Sequence, residues 1–304
     1  MSRRIALLTD STAYLPEEVV DRHRIAVVPL SVVVGDEVLA EGVEISPKDV
    51  AEALRSKQRV TTSRPSPETF AEAYRAAAEA GYEAVVSVHI SAELSGTVEA
   101  ARLAAAEAPL PVEVVDSRLV GMALGHAVLA AAEALETAGD GAAGGGAAGV
   151  GTVGGEGAEL AAVVAAVVAA ASGRAARTSG FFYVDTLEYL RRGGRIGAAQ
   201  ALLGSALSVK PLLHLSGGRI EPLEKVRTAS RAIARLEEIA VECAGADEVD
   251  ITVHHLAADD RAEPLAERLR ARVPGLRELT VLEVGAVIGA HVGPGLLAVV
   301  VAPR

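Results

Sequence analysis

The sequence predicts a two-part α/β protein, with an open parallel sheet in the N-terminal half and a mixed, partly antiparallel sheet in the C-terminal half. Three observations carry this. Short apolar runs alternate with helical patterns over residues 5–137, as parallel strands with covered faces require. Ser216-Gly217-Gly218 sits between two apolar runs, and such a pair of strands around a glycine turn reads as an antiparallel hairpin. Between the two halves, residues 139–157 are mostly glycine and alanine without a pattern, a composition break of the kind found in linkers and long loops. A length of 304 residues, half of them apolar, suits two domains, each with a core. The expected division is 1–172 and 173–304, with the stretch 139–157 as an insertion in the first.

The elements follow in chain order. Residues 5–8 are an apolar strand, closed by Thr9-Asp10-Ser11-Thr12, and a short helix begins near Pro16. Residues 25–34 form one valine-rich extended run. Ser46-Pro47 and Ser66-Pro67 each place a cap before a proline in the first helical turn. The second of these helices reaches residue 80, with Phe70, Tyr74 and Ala77 on one face. Strands are expected at 84–90 and 112–115, and helices at 95–107 and 119–137. Residues 160–171 read as a helix packed on nearly all sides. In the second half, strands are expected at 176–184, 206–215, 219–226, 249–255, 279–288 and 296–301, with helices at 186–191, 228–240 and 261–273.

Composition excludes several classes. A formal net charge of −11 argues against a general nucleic-acid surface, which needs clustered positive charge. Three per cent aromatic residues disfavour a stacking platform for bases or sugars. The run 160–171 is too short to span a bilayer, and Asp10 ends the apolar stretch behind Arg3-Arg4 too early for a signal peptide. A cytoplasmic protein without stable membrane insertion is the expectation. The single cysteine, Cys243, excludes an intrachain disulfide and reads as buried and inert.

The informative polar residues end apolar strands. Thr62, Ser95, His89 and Asp116 all fall at such ends, and ligands of open parallel sheets sit beyond the carboxyl ends of the strands. Hydroxyls there suit an anionic group, although each is also a helix cap in the plainer reading. Ser95 with His89 and Asp116 suggests a hydrolase in principle, yet Leu94-Ser95-Gly96-Thr97 lacks the Gly-x-Ser-x-Gly elbow. His291, in His291-Val292-Gly293-Pro294-Gly295, reads as an imidazole at a strand end beside a glycine turn. His254 and His255 point to opposite faces of a strand, one of them into the core, and no cluster has metal-ligand spacing. Arg191-Arg192-Gly193-Gly194-Arg195 is the one compact basic patch. It suits phosphate or carboxylate groups, or simply the carbonyls of a helix end. Phosphate-loop and dinucleotide fingerprints are absent.

Taken in order, these motifs resemble the DegV family of bacterial fatty-acid-binding proteins. They are Leu8-Thr9-Asp10-Ser11-Thr12-Ala13, Val28-Pro29-Leu30, Thr61-Thr62-Ser63-Arg64-Pro65-Ser66-Pro67, His89-Ile90-Ser91 and Leu94-Ser95-Gly96-Thr97. Val115-Asp116-Ser117, Asp185-Thr186-Leu187-Glu188-Tyr189-Leu190 with the arginine patch and Ile196, Lys210-Pro211 and the His291 turn complete the set. The resemblance implies a Rossmann-like first domain and a mixed-sheet second one, with a long-chain fatty acid held between them. Thr62, Ser95, His291 and Gly293 would be ligand-binding, the first two meeting the carboxylate. No cofactor is implied, nor a catalytic centre of the chain's own. A separate ATP-dependent fatty acid kinase would phosphorylate the presented carboxylate, with Arg191, Arg192 and Arg195 facing it. Two departures stand out: Arg64 where glutamine is usual, and a longer glycine-rich stretch. An ester hydrolase using Ser95 and a regulatory protein with a structural lipid are the alternatives.

Overall fold

The structure is a computed structural model of the chain. It describes residues 5–144, 155–202 and 210–304, with side chains described for 5–138, 157–201 and 210–304.

Ile5–Asp10 (β1) is buried along its whole length, as a strand covered on both faces must be. Glu17–His23 (α1) leads to Ile25–Val28 (β2), which pairs parallel with β1. The chain then leaves this sheet. Ser31–Val34 (β3) and Glu37–Ala40 (β4) form an antiparallel pair, and after Pro47–Arg55 (α2) the strand Val60–Ser63 (β5) joins the other edge of β3. Pro67–Glu79 (α3), Ala84–His89 (β6), Thr97–Ala105 (α4) and Val112–Asp116 (β7) complete a four-stranded parallel sheet of order β2-β1-β6-β7. Its strand order changes direction between β1 and β6, where open sheets of this kind place their ligands.

Met122–Gly144 (α5) and Gly155–Arg177 (α6) pack together against the parallel sheet, and Val300 of the other half joins the same core. Ser179–Tyr183 (β8), Glu188–Arg192 (α7), Lys210–Ser216 (β9), Arg219–Val226 (β10) and Ala229–Ala244 (α8) follow. Val249–His255 (β11), Asp259–Arg272 (α9), Leu276–Glu283 (β12), Ala286–Val292 (α10) and Leu297–Pro303 (β13) close the chain. The six-stranded sheet has the order β10-β9-β8-β13-β11-β12, antiparallel except between β11 and β12. Its last strand in sequence is central. The hairpin turn is as read, with Gly217 and Gly218 both at positive φ.

Several elements differ from expectation. The run 25–34 is two strands in different sheets, broken at Pro29 and Leu30, where Ser11 Oγ takes the Leu30 N–H at 3.0 Å. The three-stranded sheet, with Thr61-Thr62-Ser63 inside it rather than in a loop, was not foreseen. The expected strand 279–288 stops at Glu283 and becomes the helix α10, so His291 lies in a helical last turn. α6 runs past 171 to Arg177 and through the expected division at 172/173. It is not packed on all sides: Val167, Ala171 and Ala175 are buried, while Ala161, Ala162, Ala165, Ala166 and Ala169 are exposed. Its apolar length is sufficient to cross a membrane, but Arg174 pins it to β11 through Asp250 at 2.7 Å. Of the glycine-rich stretch, residues 139–144 and 155–157 belong to α5 and α6, and the remainder lies outside the described residues. Cys243 is exposed, because Leu236, Ala240 and Ala244 carry the inner face of α8 and turn it outward.

Candidate functional site

Between the parallel sheet, the three-stranded sheet and the six-stranded sheet lies a cavity of about 430 Å³, within the ~300–1,000 Å³ common for small-molecule sites. Its apolar walls come from every layer: Leu30 and Ile90 on one side, Phe182, Leu215 and Val300 on another, Val287 and Ile288 from α10. The polar lining is confined to Thr62, Ser63, Arg64, Ser95, Arg195, His254 and His291, with no carboxylate.

Each polar group has a structural reason for its place. Thr62 is set by the β5–β3 register, opposite Val32. Its Oγ1 lies 2.8 Å from His291 Nε2, which α10 supplies from 229 residues away. Burial, aided by the nearby Arg195 charge, holds His291 well below its ordinary value, at about 4. The ring is therefore neutral near pH 7. Its Nδ1 is buried without a partner, and a proton there would be an orphan donor. The proton belongs on Nε2, where it donates to Thr62 Oγ1. The Thr62 hydroxyl hydrogen is then free for another acceptor.

Ser95 sits on the loop after β6, at the change of strand order. That loop is clamped to the second half: Ser91 Oγ donates to Gly218 O at 2.8 Å, and Arg195 Nε donates to Leu94 O at 3.0 Å. Ser95 Oγ pairs with Thr97 Oγ1 at 2.8 Å. Beneath the loop, Asp10 accepts hydrogen bonds from Thr12 N and Oγ1, Ile90 N and His89 Nδ1. This fully satisfied buried carboxylate joins the ends of β1 and β6.

The hydrolase arrangement is not assembled. His89 commits Nδ1 to Asp10 at 3.0 Å and Nε2 to Ser87 at 2.7 Å. Asp116 Oδ1 accepts from the backbone of Ala92 and Arg118. Neither reaches Ser95. Among the described residues no group of His, Cys, Asp and Glu has the disposition of a metal site.

The sequence-predicted residues divide clearly. Thr62, Ser95, His291 and Arg195 share the cavity. Gly293 is outside its lining. It ends α10 at φ 74°, and a side chain there would collide with the Tyr189 ring, so its observed role is packing. Arg191 and Arg192 both pair with Glu188, at 2.7 and 2.8 Å, on an exposed surface, so they meet a carboxylate of their own helix rather than the carbonyls at its end. One of His254 and His255 was expected to face the core, and His254, the buried one, also lines the cavity. Its Nε2 accepts from Met122 N at 3.0 Å and its Nδ1 faces Leu282 O at 3.2 Å, which fixes the tautomer; burial pushes it down to about 4. Glu41 was missed altogether: it holds α10 in place through Val287 N at 2.7 Å, a contact between residues too distant in sequence for any pattern to reveal.

A mostly apolar cavity lined by hydroxyl, imidazole and guanidinium groups and by no carboxylate has the chemistry that suits an apolar ligand with an anionic or hydrogen-bonding head. The family model described as "Uncharacterised protein, DegV family" matches residues 4–141 and 151–304, and the chain belongs to the DegV family. It is 61% identical to a DegV domain-containing protein of Streptomyces coelicolor over the full length of both chains. Among solved structures it is similar to a DegV family protein from Thermus thermophilus, described by its fatty acid binding, at 35% identity and TM-score 0.83, covering 99% of this chain and 100% of that one. It is also similar to DegV of Bacillus subtilis, described as a fatty acid binding protein, at 31% identity and TM-score 0.83, with full coverage of both.

Proposed function

We propose that this protein is a cytoplasmic carrier of a long-chain fatty acid, without a catalytic centre or cofactor of its own, which presents the carboxylate to a separate ATP-dependent fatty acid kinase. The apolar cavity closed by hydroxyls, imidazole and guanidinium groups carries this reading, and the fatty acid binding described for the Thermus and Bacillus relatives supports it. Each methylene removed from water contributes about 0.8 kcal/mol, so the tail supplies most of the affinity and the polar end supplies orientation. At that end Thr62 and Ser95 donate to the carboxylate. His291, neutral and locked onto Thr62, keeps the threonine proton available.

Native mass spectrometry of the purified protein, followed by lipid extraction, tests the reading. A non-covalent fatty-acid mass is the expected result, and an empty protein that takes up no added fatty acid overturns it. Thr62→Val and Ser95→Ala each leave a carboxylate oxygen short of a donor, at about 1–3 kcal/mol of binding. Unchanged affinity in both variants would remove the hydroxyl pair from the site.

A further inference from the structure

We propose that Arg64 is a mobile further ligand for the carboxylate, beside Thr62 and Ser95, held off it by Glu99, so that this acidic residue sets how tightly the head group is gripped. The inference rests on the fatty-acid reading and concerns which residue discriminates the charged head.

Arg64 follows Thr62 by two residues and lines the same cavity end as Thr62, Ser95 and Gly96. Its Nη1 donates to Glu99 Oε2 at 2.9 Å and to Gly96 O at 3.3 Å. Among the described residues its Nε and Nη2 make no hydrogen bond. The guanidinium lies over Gly96 only because that residue has no side chain: a Cβ there would collide with Arg64 Nη1. Arg195, the other guanidinium at the cavity, is braced differently, with Nε on Leu94 O and Nη1 on Gly193 O at 2.6 Å. That leaves Arg64 as the cation with freedom to move.

The restraint on it is weak. The Arg64 side chain is 45% exposed and that of Glu99 70% exposed, and an ion pair so open to solvent is worth only about 0–1 kcal/mol. An incoming carboxylate at the acid-free cavity end offers the same guanidinium a bidentate partner in a less hydrated place, where charge-assisted pairs are stronger. The exchange is one carboxylate for another, and no charge is left uncompensated: Glu99 returns to water. Glu99 therefore competes with the ligand for Arg64.

The test uses delipidated full-length protein, with oleate and the neutral oleyl alcohol as probes of equal chain length. Arg64→Gln weakens oleate binding about tenfold and leaves oleyl alcohol unchanged. Glu99→Gln tightens oleate about threefold, and this gain vanishes in the Arg64→Gln/Glu99→Gln double variant. Equal loss of both probes in Arg64→Gln would show a merely structural residue, and a Glu99→Gln gain that persists in the double variant would remove the competition; either overturns the inference. A wild-type protein that binds oleate, beside an Arg64→Gln variant that binds it equally well, overturns the inference alone. A wild type that binds neither probe overturns the fatty-acid reading and the inference with it.

Discussion

Arg195 shows how one side chain serves both the cavity and the loops that frame it. Its two hydrogen bonds to Leu94 O and Gly193 O tie the loop bearing Ser95 to the segment after α7, and its charge helps keep His291 neutral. Arg191 and Arg192 are neutralised by Glu188, whereas Arg195, held in place by two carbonyls, has no acidic partner among the described residues, so its charge is the one in the patch left to attract a phosphate or an acidic partner face. On the carrier function proposed above, Arg195→Ala is predicted to leave fatty-acid binding nearly intact and to slow acyl-phosphate formation by the proposed kinase. Lipid affinity and phosphorylation rate measured on one preparation decide it. Equal phosphorylation removes Arg195 from the kinase step, and parallel loss of affinity makes it a head-group or bracing residue instead.

At the scale of elements, α10 is the piece on which the polar end depends. Its N-cap, Gly285, has no side chain to satisfy the first free N–H groups. Glu41 does this from the end of β4: it accepts from Val287 N and Tyr14 OH through Oε1, and from Ser11 Oγ through Oε2. Tyr14 OH in turn accepts from Ile288 N at 3.2 Å. A carboxylate at the positive end of a helix is electrostatically favourable, although burial raises the Glu41 pKa. Glu41→Ala leaves buried donors unpaired and is predicted to cost about 1–3 kcal/mol of stability. It should also weaken fatty-acid binding, because the helix carrying His291 loses its anchor. Urea denaturation and oleate titration check both effects. Full affinity in a destabilised Glu41→Ala protein would show that α10 is positioned by packing alone.

At the scale of the molecule, three histidines whose pKa values are held down set an acid limit. His126, His254 and His291 are each held at about 4, chiefly by burial, against ~6.5 in the unfolded chain. Between those values the unfolded state binds protons that the folded state refuses. Stability is therefore whole above about pH 6.5, falls as pH drops through the window to about 4, and levels off below it with respect to these rings. Glu41 acts in the opposite sense, since its raised pKa favours the folded state as acid protonates it. The loss is on the order of 3 kcal/mol per ring over the whole window, and about 2 kcal/mol of it is reached by pH 5. Denaturant midpoints at pH 7 and pH 5 measure it, and the ring NMR signals of His126, His254 and His291 should not titrate above pH 5. A ring that titrates near 6.5 would exclude that histidine from the effect.

The parallel half was legible because its strands and helices each carry a local period, and the caps Ser46 and Ser66 mark their own helices. Thr62 and Ser95 were legible as hydroxyls beside strands. α10 was not, because Val-Ile-Gly-Ala-His reads as well extended as helical, and the carboxylate that starts the helix lies 246 residues away. The side sheet formed by β3, β4 and β5 was hidden for the same reason: a valine run shows that it is extended, not which sheet receives it.

By itself the sequence determined the two α/β halves, the hairpin and the order of motifs that places the chain in its family, since all of these follow from neighbours within a few residues. Only the tertiary structure decided that Thr62 meets His291, that Arg64 lies across Gly96 toward Glu99, and that β13 enters the middle of its sheet. Those contacts depend on the packing of segments far apart in the chain, where burial and unpaired polar groups select the partner and local propensity is silent.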